Sequence, residues 1–171
     1  MTAKKNTINQ PPKLLARNDY GLLEDKDISY KYKENGLVDW RLMIDPSWLY
    51  PNPSSVASGK ANYNTDVSTL QDKDLCIKLF GLKELALIRG YTNVSYNVVK
   101  AAQDYVAVSC GITWVPNYES ENKEIYFESI ADAHWNNTKN FAKNFLSSIA
   151  ENRAFGRCVR GFLGINVVGD F

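Results

Sequence analysis

The stretch Thr92–Trp114, TNVSYNVVKAAQDYVAVSCGITW, decides the fold because its apolar residues recur at every second position. Polar and apolar residues alternate over Asn93–Val98, and alternate positions over Val106–Trp114 are apolar. A period of two places these alternate side chains on one face of a strand. The stretch therefore predicts two antiparallel strands, at about 92–100 and 104–115, that are joined by a hairpin.

The flanking segments extend this pattern into a sheet with helices. Downstream, Ile125–Ile130 predicts a third strand at about 124–133, and residues 139–163 have the spacing of a closing helix. Upstream, the leucine spacing predicts a helix near 68–89, with Asp66 or Asp72 as its cap and Gly90 as its end. The predicted fold class is α+β, a three-stranded antiparallel meander packed against a long C-terminal helix and preceded by a helix.

The chain divides into three regions by composition. Residues 1–19 are polar and predict a flexible N-terminal arm. Residues 20–64 form an aromatic-rich extension and linker, with a short hairpin and a helical turn near Asp39–Ile44, and we expect this region to make an oligomer contact. Residues 65–171 contain the predicted sheet and helices.

The bulk composition bounds the class of protein. The 171 residues carry a net charge of +1 and are 44% hydrophobic, so any anion site must be local and the core can be sizeable. Cys76, Cys110 and Cys158 lack paired spacing and are expected to be core residues in a reducing cytoplasm. No apolar run is long enough for a membrane span, and the N-terminus does not resemble a signal peptide.

The segment Ser148–Ile165, SIAENRAFGRCVRGFLGI, carries the main functional hypothesis. Arg153, Arg157 and Arg160 lie at i, i+4 and i+7, so a helix presents them as one stripe. A fixed row of guanidinium groups matches a row of phosphates, whereas the alternative is a solvated cationic face. The following residues occupy another side of the helix and are expected to pack on the core: Phe145, Ile149, Phe155, Val159 and Phe162.

Three local patterns within 79–165 resemble one family. They are Tyr105–Trp114, Ile130–Trp135 and Ser148–Gly164, in the order strand, strand, helix. In this order they are similar to the single-strand annealing proteins, the phage Sak and Erf recombinases and their eukaryotic Rad relatives. The resemblance implies a β-β-β-α core that assembles into rings or helical filaments and binds single-stranded DNA in a basic groove. It implies that Arg157 and Arg160 face the DNA backbone, with Arg153 one turn earlier on the same stripe.

Further residues are candidates for the site. Tyr105 faces away from the strand face that contains Trp114, so it is a candidate for stacking on bases, whereas Trp114 is predicted in the core. Lys100, between the first two strands, would extend the basic groove. The sequence has no phosphate-binding P-loop and no metal-ligand spacing, so we expect neither a cofactor nor a metal. His134, near Asp132, is expected to be a polar residue at a strand end.

The sequence therefore predicts a non-enzymatic DNA-binding protein of recombination and repair that anneals complementary strands without ATP. Its expected partners are single-stranded DNA, further copies of itself, and a single-strand binding protein or exonuclease, with no membrane. The expected location is the cytoplasm, that of the host for a phage protein. One alternative is a viral structural or assembly protein whose arginine helix lies at a subunit interface. Another is a small enzyme that uses His134 and Asp132.

Overall fold

The computed structural model describes residues 16–165 and the backbone of residues 168–170. The strands are β1 (Leu49–Pro51), β2 (Leu75–Lys78), β3 (Tyr91–Ala102), β4 (Tyr105–Trp114), β5 (Ile125–His134) and β6 (Val168–Asp170). The α-helices are α1 (Pro53–Ala57), α2 (Leu79–Arg89) and α3 (Leu146–Leu163). Short 3-10 helices occupy Trp40–Met43, Pro46–Trp48, Val67–Thr69, Asp72–Asp74, Tyr118–Ser120 and Asn140–Phe145.

The main sheet is the antiparallel meander β3-β4-β5, and α3 packs across β4 and β5. Its register places Val108 of β4 between Val98 of β3 and Ala131 of β5. The three strands lie within two residues of the predicted bounds because the alternation of polar and apolar residues is regular there. The predicted α+β class, with a helix before the meander and a long helix after it, is confirmed.

A second, smaller sheet has the order β1-β2-β6. Strand β1 pairs with β2 in antiparallel fashion, and β6 pairs with β2 in parallel. The chain passes from β2 directly into α2 and then through Gly90 alone into β3. Helix α2 therefore connects the two sheets, and it also contacts α3.

The predicted helix near 68–89 is wrong in its first half. Two 3-10 turns and strand β2 precede α2, which begins at Leu79. Asp66 does act as a cap, but for the 3-10 turn Val67–Thr69, where its carboxylate accepts from the Ser68 N–H at 2.9 Å. The helix ends as predicted at Gly90, whose φ of +84° lies in the region that favours glycine.

The closing helix is shorter than predicted and its phase differs at the start. Residues 140–145 form a 3-10 segment, so α3 begins at Leu146 and Phe145, expected in the core, is 55% exposed. Phe155 and Val159 are buried as predicted, and Ile149 and Phe162 are half-buried against the core. The rest of the inner face of the helix consists of small side chains, Ala150, Ala154 and Cys158, which are all fully buried. Their small size allows the helix to pack closely against the sheet.

One core joins the meander, the helices and the N-terminal region. Trp114 is buried as predicted, and so are all three cysteines. Five residues of the 20–64 region lie in the same core, namely Leu22, Leu23, Val38, Trp40 and Ile44. The predicted hairpin and turn correspond to a bridge between Tyr32 and Val38 and to the 3-10 helix Trp40–Met43.

The last residues of the predicted N-terminal arm contact the domain, while residues 1–15 lie outside the described part. Arg17 forms a bridge with Leu23 and donates hydrogen bonds to the carbonyls of Gly21 at 2.8 Å and Ile88 at 3.0 Å. Of the helices in the described residues, none has the length and apolar content that crossing a bilayer requires.

Candidate nucleic-acid interface

The sheet has an outer face that points away from α3. Because Val106, Val108 and their alternate neighbours pack toward the helix, Tyr105, Ala107, Ser109, Gly111 and Thr113 face outward. Their pairing partners on β3 and β5 share this face and are mostly exposed. The centre of the face is shallow, since its residues are small and the Tyr126 ring from β5 lies over Gly111.

Lys100 and Tyr105 lie together at the β3–β4 hairpin, which forms the tip of this face. The Lys100 Nζ is 5.5 Å from the Tyr105 ring centroid, within the range of a cation–π contact. The ring of Tyr105 stacks with that of His134 at 6.3 Å between centroids and 22° between planes. The structure thus brings together two predicted site residues and adds His134, which the sequence predicts as a polar residue at a strand end or, in the enzyme alternative, as the partner of Asp132.

Two arginines of α3 continue from His134 along the side of β5. Arg153 Nη1 donates to the Asp132 carbonyl and to Asn137 Oδ1, both at 2.9 Å, and Nη2 donates to the Asn137 carbonyl at 2.8 Å. The same Asn137 Oδ1 accepts from the His134 backbone N–H at 2.8 Å. Arg157 is exposed and donates to the Ile130 carbonyl at 3.1 Å.

These contacts define one continuous surface that we call the tip row: Lys100, Tyr105, His134, Arg153 and Arg157. Its cations and rings follow the rim of the outer face. Glu128 and Asp132 lie on the same face, and each carboxylate accepts a hydrogen bond, from the Tyr126 hydroxyl at 3.1 Å and from the Asn137 side-chain amide at 3.0 Å. These two carboxylates are on β5 and lie beside the arginine part of the tip row, so they weaken the attraction of that part for an anion.

Arg160 follows Arg157 by three residues on α3 but is not part of the tip row. It is half-buried, and burial lowers the pKa of its guanidinium, with a further decrease from the neighbouring Arg157 charge. Cys76 of β2 also acts on this guanidinium, so Arg160 lies toward the small sheet. The three arginines share a stripe by spacing, but their surroundings differ because the small sheet covers only the C-terminal part of α3.

Arg153 and Arg157 also bind the outer edge of β5, the edge that does not pair with β4. Ile130, Asp132 and His134 alternate along the strand, so their backbone groups all point away from β4. One backbone group of each of these three residues is hydrogen-bonded. The Ile130 carbonyl accepts from Arg157, the Asp132 carbonyl accepts from Arg153, and the His134 N–H donates to Asn137. A row of arginines that covers an edge in this way prevents another strand from pairing there. The sequence did not reveal this role, because nothing in the helix spacing shows how close the β5 backbone lies.

We predict different stability effects for the two arginines. Arg153→Ala removes three hydrogen bonds at a partly buried position and should lower the free energy of unfolding by about 1–3 kcal/mol. Arg157→Ala removes one bond at an exposed position and should change it by less than about 0.5 kcal/mol. Urea titration followed by circular dichroism measures both. Equal losses of unfolding free energy from the two substitutions would contradict the different contacts of the two arginines.

The enzyme alternative finds little geometric support at His134 and Asp132. His134 Nδ1 accepts from the Asn136 backbone N–H at 3.1 Å, and the Asp132 carboxylate accepts from Asn137. Both side chains thus bond to the loop after β5, and no hydrogen bond joins them among the described residues. Within that same part of the chain, no cluster of three His, Cys, Asp or Glu side chains could hold a metal ion.

Comparison with protein-family models, with curated proteins and with solved structures finds no match to this chain. The site must therefore be interpreted from its own geometry.

Proposed function

We propose that this protein binds single-stranded nucleic acid along the tip row and promotes the annealing of complementary strands without ATP. The observation that carries the proposal is the arrangement of the tip row itself. Five cationic or aromatic side chains from β3, β4, β5 and α3 follow one rim of an open sheet face. The element order β-β-β-α supports the same proposal, because it is the order that the resemblance to annealing proteins implies.

The row suits a flexible strand better than a duplex. Tyr105 stacks on His134 and has Lys100 near its ring, so bases would stack on the solvent side of this aromatic pair whatever their sequence. Lys100 and Arg157 offer cations for phosphates. Trp135, which follows His134, is a further exposed aromatic residue at this end of the sheet: it is 45% exposed, and its backbone N–H bonds the Asp104 carbonyl beside the hairpin. Phosphate contacts make such binding independent of sequence, which annealing of arbitrary strands requires.

Arg153 has a supporting role in this proposal. Two of its three hydrogen bonds fix Asn137, and Asn137 in turn fixes the end of β5 at His134. Arg157 is the arginine with donors open to solvent and therefore the phosphate ligand. Arg160 is a weaker candidate because it lies against the small sheet.

We predict that Arg157→Ala weakens binding of a 30-nucleotide single strand severalfold while the fold is retained. The slope of log affinity against log salt should become shallower by about 0.7 for each phosphate that the variant no longer neutralises. Fluorescence anisotropy over a salt series measures both quantities. The matched control is Lys60→Ala, which removes an exposed cation from a loop outside the tip row and should leave the slope unchanged.

The same experiment distinguishes the proposed function from the main alternative. That alternative is a structural or assembly protein whose arginine helix lies at a subunit interface, although the hydrogen bonds from Arg153 and Arg157 to β5 are made within one chain. In that case the parent protein would bind the strand weakly and Arg157→Ala would leave its affinity unchanged. That result would overturn the proposal, and a strand-annealing assay with complementary labelled oligonucleotides would then show no acceleration.

A further inference from the structure

The two outer strands of the meander have edges of opposite character. On β5, Arg157, Arg153 and Asn137 occupy the outward backbone groups at 130, 132 and 134. On β3, none of the hydrogen bonds among the described residues reaches the outer edge, and β4 is its sole neighbour in the sheet. An edge with unpaired backbone groups is a template for another strand.

The register identifies which backbone groups β3 offers. Because residues 130, 132 and 134 point outward, Ala131 and Ala133 bond β4 through Val108 and Val106. The remaining β4 residues then bond β3 through Asn93, Ser95 and Asn97. Val94, Tyr96 and Val98 are therefore left with backbone N–H and C=O groups directed away from the sheet.

The side chains at this edge lack the usual protection against pairing. Within the twelve residues of β3, Lys100 is the single charged residue. Tyr96 is 44% exposed and Val98 is 61% exposed, since α3 covers β4 and β5 but leaves this strand open. Proteins normally block an edge of this length with charges, proline or a covering element.

We propose that two copies of this protein pair through their β3 edges, antiparallel to each other, about a two-fold axis near Tyr96. The pairing extends the meander into a six-stranded sheet. It does not depend on the proposed function, because it rests on the edges and not on the tip row.

A second copy is the occupant that fits this edge best. In antiparallel pairing about Tyr96, Val94 of each copy opposes Val98 of the other, so the three outward residues of each copy exchange about six hydrogen bonds in all, within the usual range for an interface. The paired segment lies between the two register irregularities of β3, which occur at Tyr91/Asn93 and Val98/Lys100, so it is regular over its whole length.

The covered β5 edge also favours one symmetry for the assembly of copies. Pairing of β3 with β5 of the next copy would be heterologous and would build rings or filaments. Arg153 and Arg157 block that arrangement at the C-terminal half of β5. Pairing of β3 with itself is isologous and closes at two copies.

Sedimentation velocity of the full chain between 1 and 100 µM tests the proposal. We expect a concentration-dependent species of twice the 19.3 kDa chain mass. Val98→Lys places a charge on the open edge at an exposed position and should raise the dimer dissociation constant at least tenfold. Its matched control is Ile130→Lys, the same kind of change at a 49% exposed position on the covered edge, which should leave the dimer intact.

Amide hydrogen exchange provides a second measurement that needs no variant. The outward amides of Val94, Tyr96 and Val98 should become protected as concentration rises, whereas those of Asn93, Ser95 and Asn97 should be protected throughout. A monomer at 100 µM, a species larger than a dimer, or a dimer that Val98→Lys leaves unchanged would each overturn the proposal. Protection that does not alternate along β3 would overturn it as well.

Discussion

Trp114→Ala is expected to produce one of the two largest losses of stability in this chain, about 3–5 kcal/mol. The indole is fully buried, stacks on Phe162 at 4.4 Å between ring centroids and meets Tyr91 edge-on at 6.4 Å. It therefore fills the space between the start of β3, the end of β4 and the end of α3. Removing it leaves a cavity where three elements meet, and urea titration of the variant measures the resulting loss.

Two controls make this prediction specific to packing. The Trp114 indole N–H has no hydrogen-bond partner among the described residues, so Trp114→Phe loses no hydrogen bond and should cost well under half as much. Phe141→Ala removes an aromatic side chain that is 79% exposed and should change stability by less than about 0.5 kcal/mol. A loss from Trp114→Phe that equals the loss from Trp114→Ala would refute the packing explanation.

Arg89→Ala should cost about 3 kcal/mol, because it breaks a buried charge pair. Arg89 is 2% exposed, donates to the Val115 carbonyl at 2.8 Å and lies 3.9 Å from the Glu119 carboxylate through Nε. Burial lowers the pKa of Arg89 to about 10 and Glu119 partly offsets this, so the guanidinium stays charged at neutral pH. Its guanidinium also lies 5.4 Å from the Phe162 ring.

A double-mutant cycle with Glu119→Gln tests whether the loss comes from charge. The Glu119 carboxylate accepts from the Asn117 side-chain amide at 3.0 Å and from the Val38 N–H at 3.4 Å through different oxygens. A glutamine has one acceptor oxygen and can keep one of these two bonds, so Glu119→Gln has a cost of its own that the cycle must include. If the unpaired Glu119 carboxylate is the main penalty, Glu119→Gln should restore part of the stability that Arg89→Ala removes. Strict additivity of the two changes would show that packing alone is responsible.

The sequence predicts the meander well and the small sheet not at all. Burial alternates along β5, and polar or small residues alternate with larger apolar ones along much of β3 and β4, although β4 is buried on both faces. Strand β2 is different, because Leu75, Cys76 and Ile77 are all buried and a short apolar run of this kind fits a helix equally well. The i, i+4 spacing of Leu75 and Leu79 then extended the predicted helix backwards across a strand.

The candidate site, like the fold, could be predicted from the sequence only in part. Helical spacing groups Arg153 with Arg157 and Arg160, and the structure places the first two along the β5 edge. Lys100, which was predicted only to extend the basic groove, lies near the Tyr105 ring. The position of the β5 edge depends on tertiary packing, so the hydrogen bonds of both arginines to it could not be predicted. Arg89 was also missed, because an arginine in the last turn of a helix usually lies at the surface and interacts with the helix dipole.

The connection between the two sheets has a consequence for how the chain folds. The meander joins neighbouring segments through short turns, whereas the parallel ladder of the small sheet joins Cys76 to Val168 across the whole of the meander and α3. Contacts between distant segments form late, because the loop-closure entropy must be lost before they contribute. The small sheet is thus expected to assemble last, on a meander and α3 that are already in place.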